Sequence, residues 1–248
     1  MEPTLSSDRD GYQGITWAER ARFGVLGAAL DPADKSGRKN NYIDRLHRLA
    51  LTSAFGDKHF SKALDFGCGP GRFTRFLSKR STEVYAVDRT PEMIAIAQQS
   101  QHSPNVHFLL WRDMPLPFED GFFDLILTVY VVSVMPRTDV SRVADEFRRV
   151  CSSRGTLVMI EQADHSRQLS PEAYHQIYGS VGFEVVRAVP IRKSDSQFMR
   201  FAMNRISAQF LQGALARAEL MWRKNSQFRT DTRGYWDYLF ILRPKVTS

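Results

Sequence analysis

The chain of 248 residues carries 34 Lys and Arg against 27 Asp and Glu, a formal charge of +7, with 43% hydrophobic and 25% charged residues. That usage excludes a disordered or fibrous protein and allows one domain with a substantial core. No apolar run reaches the roughly 18 residues of a membrane-crossing helix, the polar start Met1–Asp10 has no signal core, and Cys68 and Cys151 suit neither a disulfide framework nor a zinc site. A reducing, cytoplasmic setting without a metal is the expectation.

Trp17–Leu30 reads as a helix, with Trp17, Ala21, Val25 (or Gly24) and Ala28 at helical spacing, and Asp31-Pro32 ends it. Beyond a polar loop, Ile43, Leu46, Leu49 and Ala50 form the stripe of a second helix, capped by Asn40 or Asn41. From Ala63 short apolar runs alternate with helical segments. Strands are predicted at Ala63–Phe66, Glu83–Val87, Val106–Leu110, Phe123–Thr128, Thr156–Glu161, Phe183–Val189 and Trp236–Leu242. Helices are predicted at Gly71–Lys79, Pro91–Gln99, Val140–Cys151 and Ser170–Ser180. This is the rhythm of a parallel sheet covered on both faces. Residues 190–235 interrupt it: Met199, Met203, Ile206, Phe210, Ala214, Ala218 and Met221 recur at helical spacing among arginines, an amphipathic cationic helix.

The stretch that carries chemistry is Ala63–Phe73, ALDFGCGPGRF, where a strand runs into a glycine-rich turn opening a helix. Glycines allow positive φ and close approach of a ligand, and helix-start amides favour an anionic group. The spacing is G-x-G-x-G, not the G-x-G-x-x-G of dinucleotide sites. Asp65 just before it would repel a pyrophosphate but suits an ammonium. The strand Val84–Asp88 ends in an acid 17 residues after Gly71, placed to accept both hydroxyl protons of a ribose.

ALDFGCGPGRFT, VYAVDRTPEMIAIAQ, WRDMPLPFEDGFFDLILT and EFRRVCSSRGTLVMIE stand in order over about 100 residues, from Ala63 to about Gln162. In these motifs the chain resembles the class I S-adenosylmethionine-dependent methyltransferases, above all their small-molecule branch. The resemblance implies an α/β fold, a Rossmann-like, doubly wound, mostly parallel seven-stranded sheet with an antiparallel last strand, plus a helical cap. It divides the chain into an N-terminal helical cap (1–62), a cofactor-binding core (63–189), a basic helical insertion over the crevice (190–235) and the last strand (236–248). The implied cofactor is S-adenosyl-L-methionine. Gly67, Gly69 and Gly71 would line its methionine portion, Asp65 its ammonium and Asp88 its ribose, with Arg89 and Thr90 alongside. Asp113 would accept from the adenine amino group, the Met114 amide would face the ring, and Thr128, Val129 and Tyr130 would face the methyl group.

Methyl transfer from a sulfonium needs alignment and exclusion of water, and a base only if the acceptor must lose a proton. Many members of the branch carry a histidine after the fourth strand. Here Val131–Met135 contains none, which leaves Tyr130, Glu161 and His165 as catalytic candidates, with Asp164 beside them. His47 reads as a packing or solvent-facing residue.

Arg187 to Arg233 holds ten basic residues against three acids, the whole of the net charge. Such a face solubilises or attracts an anion, and Arg192, Lys193, Arg200 and Arg205 are its candidate substrate contacts. Absence of Asn/Asp-Pro-Pro-aromatic after the fourth strand, and of a suitably placed cysteine, disfavours nucleic acid. The expectation is methylation of an oxygen, rather than a nitrogen, of a small or glycan-type anionic acceptor. The alternatives are RNA ribose methylation, peripheral contact with an acidic membrane surface, or homodimerisation through the cationic helix.

Overall fold

The computed structural model describes residues 11–12, 14–100, 103–163, 169–194, 209–225 and 235–245. The apolar runs form strands β1 (Phe60–Phe66), β2 (Ser81–Asp88), β3 (Val106–Leu110), β4 (Phe123–Val129), β5 (Cys151–Ala163), β6 (Phe183–Lys193) and β7 (Trp236–Pro244). They lie in one sheet of order β3-β2-β1-β4-β5-β7-β6. The first five are parallel, and β7 runs antiparallel between β5 and β6. The chain leaves β1 toward β2 and later returns to its other side as β4, so a crevice opens at the carboxyl ends of β1 and β4.

Successive residues of a strand face opposite ways, and neighbours in β1 feed different cores. Leu64 and Phe66 pack with Phe147 of α6 (Arg137–Val150) and with Tyr174 and Tyr178 of α7 (Pro171–Ser180). Ala63 packs on the other face with Leu51 and Phe55 of α3 (Arg38–Phe55) and Phe76 and Leu77 of α4 (Thr74–Ser78). The crossover α5 (Pro91–Ser100) joins β2 to β3. Thus α3 packs as a layer of the core.

The seven-stranded topology with its antiparallel β7 agrees with the sequence expectation, and three local departures have physical causes. The predicted helix Trp17–Leu30 is broken into α1 (Trp17–Arg20), a 3-10 turn and α2 (Gly24–Ala29), because Gly24 sits at φ +69. The helix after β1 begins only at Thr74, since the turn residues before it are not helical. Strand β6 runs through Pro190 to Lys193: as an edge strand it tolerates the missing N–H, and a register shift between Pro190 and Arg192 absorbs it. Arg192 and Lys193 therefore belong to the sheet, not to the insertion.

The helix α8 (Gln209–Asn225) lies against α3, with Ala216 packed among Tyr42, Ile43 and Leu46. Its predicted apolar stripe is the wrong face. Ala214, Ala218 and Met221 are exposed, Met221 at 65%, whereas Gln212, Ala216 and Glu219 are buried. A buried hydrogen bond of 2.5 Å, donated by the Tyr42 hydroxyl to Glu219 Oε2, fixes that orientation. Met199, Met203 and Ile206 lie outside the described residues. Among the described residues no helix is long and apolar enough to cross a membrane.

Candidate functional site

A cavity of about 1180 Å³ opens at the crevice, walled by the ends of β1, β2 and β4, by α1 and α2, and by Arg192 and Tyr235. Its first end is the glycine turn. Gly67 adopts φ +68, and a Cβ there would stand 2.3 Å from Val131 Cγ2; the residue must be glycine for two independent reasons. Gly69 (φ +53) has nothing within 4 Å of a Cβ position, so its backbone is open to a ligand. Gly71 departs from expectation. It does not line the cavity, and its Cβ position points at Ala97 Cβ, 3.2 Å away, so it serves the packing of α5 on the turn.

Two carboxylates frame this end. Asp65 is buried and accepts from the Thr74 hydroxyl at 2.7 Å, and burial, joined by the nearby Asp88 charge, pushes its carboxyl up to about 7. Asp88 accepts from the amides of Gly69 (2.8 Å) and Thr90 (2.9 Å), so it also shapes the turn; burial raises its pKa against those bonds. Neither is paired with a cation among the described residues. Open backbone and two uncompensated acids fit a cationic ligand carrying hydroxyl groups, as S-adenosylmethionine is. Arg89, Asp113, Met114 and Val129 also line the cavity.

Tyr130 dominates the second end. It follows β4 at φ +59, a conformation costing a non-glycine residue on the order of 1–2 kcal/mol. Its amide donates to the Ile160 carbonyl at 2.9 Å. Its hydroxyl lies 2.5 Å from Asp237 Oδ2, 3.2 Å from His47 Nε2 and 3.5 Å from Arg192 Nη2. Arg192 clasps Asp237 through Nε (2.5 Å) and Nη2 (3.1 Å). Arg72 Nη2 donates to His47 Nδ1 at 2.9 Å and Arg72 Nε to Asp44 at 3.0 Å, while Arg48 holds the other Asp44 oxygen at 2.7 Å. Arg72 and Arg192 line the cavity with Tyr130.

The protonation states follow. Burial and the Arg72 charge carry His47 down to about 4 despite Asp237, so it is neutral. Its Nδ1 accepts from a guanidinium, which puts its proton on Nε2. Burial acts to raise Asp237, but Arg192 outweighs it and holds the carboxyl at about 2. Burial and the Asp237 charge push Tyr130 well above the usual phenol range, making it a hydrogen-bond donor and a poor base.

Several expected site residues sit elsewhere. Glu161 is fully buried and absent from the cavity wall. It accepts from the amides of Val131 (3.2 Å), Val132 (3.3 Å) and Ser133 (3.0 Å). Burial raises it to about 7 against those bonds; it anchors the segment after Tyr130 rather than meeting a substrate. Thr128, expected to face the methyl group, is buried beneath, its hydroxyl donating to Glu161 at 3.4 Å. Lys193 faces the Trp236 ring at 5.8 Å and does not line the cavity. His165, Asp164, Arg200 and Arg205 lie outside the described residues.

His47, Arg72, Asp44 and Asp237 are site residues that sequence reasoning missed. One signal was available: Asp237 is an acid inside the otherwise apolar run WDYLFIL, and a buried acid needs a partner. The contributions of Trp17 and Arg20 to the wall had no sequence signal.

Residues 64–159 match a family described as a methyltransferase domain. The demethylmenaquinone methyltransferase of Staphylococcus haemolyticus is 29% identical over 150 residues, covering 57% of this chain and 62% of that protein. The malonyl-[acyl-carrier protein] O-methyltransferase of Salmonella typhimurium is 36% identical over 101 residues, covering 41% and 39%. The chain thus spans between about two fifths and three fifths of these relatives' lengths. Among solved structures, a chain of the Haloferax volcanii complex between the Trm112 methyltransferase activator and a methyltransferase superposes with a TM-score of 0.64 at 17% identity, covering 97% of this chain and 100% of that one. The [4+2]-cyclase SpnF superposes at 0.60 with 17% identity, covering 82% of each. Motif, sheet order and these likenesses converge on one fold: residues 64–159 match the methyltransferase domain, and the chain has the fold of the class I S-adenosylmethionine-dependent methyltransferases.

Proposed function

We propose that the protein transfers the methyl group of S-adenosylmethionine to an oxygen of a small, negatively charged acceptor. One observation carries this reading: the acid-framed glycine turn and the Tyr130–Asp237–Arg192 cluster open into the same cavity of about 1180 Å³. That is beyond the roughly 300–1,000 Å³ usual for one ligand, and it leaves room for a donor and an acceptor. When bound, S-adenosylmethionine supplies an electrophilic methyl group on a positively charged sulfur. Asp65 offers its carboxylate to the amino-acid end of that ligand, and Asp88 offers its own to the ribose. Trp17 and Arg20 form a wall that keeps water out, and Tyr130, held rigid by three partners, helps orient the acceptor.

The name of one relative, an O-methyltransferase of malonyl-[acyl-carrier protein], supports transfer to an oxygen, while another relative is named for demethylmenaquinone. Because a cyclase shares the fold, chemistry has to be tested at the site itself. Calorimetry with S-adenosylmethionine and S-adenosylhomocysteine, then incubation with methyl-labelled donor and a panel of small carboxylic acids, quinols and RNA, does so. Binding of both nucleosides and label in a small oxygen acceptor is the expected result. No binding, or label in RNA alone, would overturn the reading.

A further inference from the structure

We propose that the buried end of the cavity is a subsite for one carboxylate of the acceptor, gripped by Nη1 of Arg192. The inference rests on the methyltransferase reading of this cavity and adds the acceptor's recognition group. Arg192 is 1% exposed. Its Nε and Nη2 are committed to Asp237, while Nη1 is buried with no hydrogen-bond partner among the described residues. Folded proteins leave few buried donors unsatisfied, and each has a physical reason. Since Arg192 lines the cavity and the Tyr235 ring packs 5.4 Å from its guanidinium, a ligand oxygen is the fitting partner.

The charge of that ligand follows from the cluster. The bonded chain Arg48–Asp44–Arg72–His47–Tyr130–Asp237–Arg192 contains three guanidiniums and two carboxylates, with His47 neutral. Among the described residues of this bonded chain, one positive charge is uncompensated. A monoanion brings the cluster to neutrality, whereas a dianion such as a phosphate ester leaves an excess negative charge out of water. Among the described residues, the groups around Tyr130 also offer no spare base. His47 Nδ1 is taken by Arg72, and Asp237 by Arg192 and the Tyr130 hydroxyl. An acceptor that must first lose a proton finds no help here, while a carboxylic acid arrives already ionised at neutral pH.

Benzoate is the probe, with benzamide as its uncharged counterpart and phenyl phosphate as its doubly charged one. Each is titrated calorimetrically into the protein with and without S-adenosylhomocysteine. Benzoate is expected to bind at least about tenfold more tightly than either counterpart. Arg192→Lys keeps a charge beside Asp237 but lacks Nη1, and is expected to weaken benzoate about tenfold while S-adenosylhomocysteine affinity stays unchanged. Should circular dichroism show that this variant misfolds, Arg192→Met combined with Asp237→Asn removes the pair together and carries the same expectation. Benzoate binding no tighter than benzamide, or undiminished in the folded variant, overturns the subsite. Tighter binding of phenyl phosphate overturns the charge argument. Loss of S-adenosylhomocysteine binding by the unmodified protein counts against the methyltransferase reading alone, because benzoate is also measured without it.

Discussion

The two ends of the cavity are built in opposite ways. At the glycine turn Asp65 is buried and Asp88 half-buried, neither paired with a cation among the described residues, and both carboxyls are raised. At the Tyr130 end, charges are clasped: Asp237 is lowered to about 2 by Arg192, and guanidiniums outnumber carboxylates. One end holds excess negative charge and the other excess positive charge, and each is completed by a ligand of opposite sign. The acidic end comes from one contiguous stretch, β1 to β2. The cationic end draws on α3, the residue after the glycine turn, the residue after β4, and strands β6 and β7.

If the cationic end is held by pairing, breaking it should cost most. Asp237→Ala leaves Arg192 buried and unpaired and is expected to lower the unfolding free energy by about 3–5 kcal/mol. Urea denaturation checks this, and a loss below about 1 kcal/mol would mean that the pair contributes little. Within the acidic end, Gly67→Ala must fit a methyl against Val131 at positive φ, and roughly 2–3 kcal/mol of stability should go. Gly69→Ala meets open space and should cost only about 1 kcal/mol in the same denaturation series. It should nevertheless weaken S-adenosylmethionine binding, since its methyl group occupies the space left for the ligand. Equal stability losses for the two glycine variants would contradict their different surroundings.

Asp88→Ala removes a charge-assisted acceptor and the partner of the Gly69 and Thr90 amides. Calorimetry should show S-adenosylmethionine binding weakened by about 1–3 kcal/mol; unchanged affinity would remove Asp88 from the ribose role. The smallest effect is a pH dependence. With Asp65 raised to about 7, its carboxyl is largely neutral at pH 6 and ionised at pH 8. Affinity for the cationic donor should therefore rise a few-fold across that interval, with protons released on binding below pH 7. Asp65→Asn should flatten the curve, and an equally steep curve in the variant would assign the titration to another group.

The glycine turn was legible because its chemistry is local. A strand, G-x-G-x-G and an acid-ended second strand lie within Ala63–Asp88, and backbone geometry there is a property of neighbouring residues. The cationic end was not. His47, read as packing or solvent-facing, is indeed buried, but nothing near it in sequence tells that Arg72 and Tyr130 reach its two nitrogens. Glu161 read as catalytic because it ends a strand of the crevice, yet its carboxylate turns under the amides of Val131–Ser133. The helix α8 was assigned the wrong buried face because a hydrogen bond to Tyr42, 177 residues away, outweighed a stripe of small and apolar residues.

The amino-acid sequence by itself determined the alternation of elements, the parallel core and the acid-framed turn, since hydrophobic period and glycine conformation act over a few residues. Only the tertiary structure decided which charges are paired, which donor of Arg192 is left over and which way Glu161 faces. Those outcomes depend on desolvation and on partners that come together when distant segments close on one another.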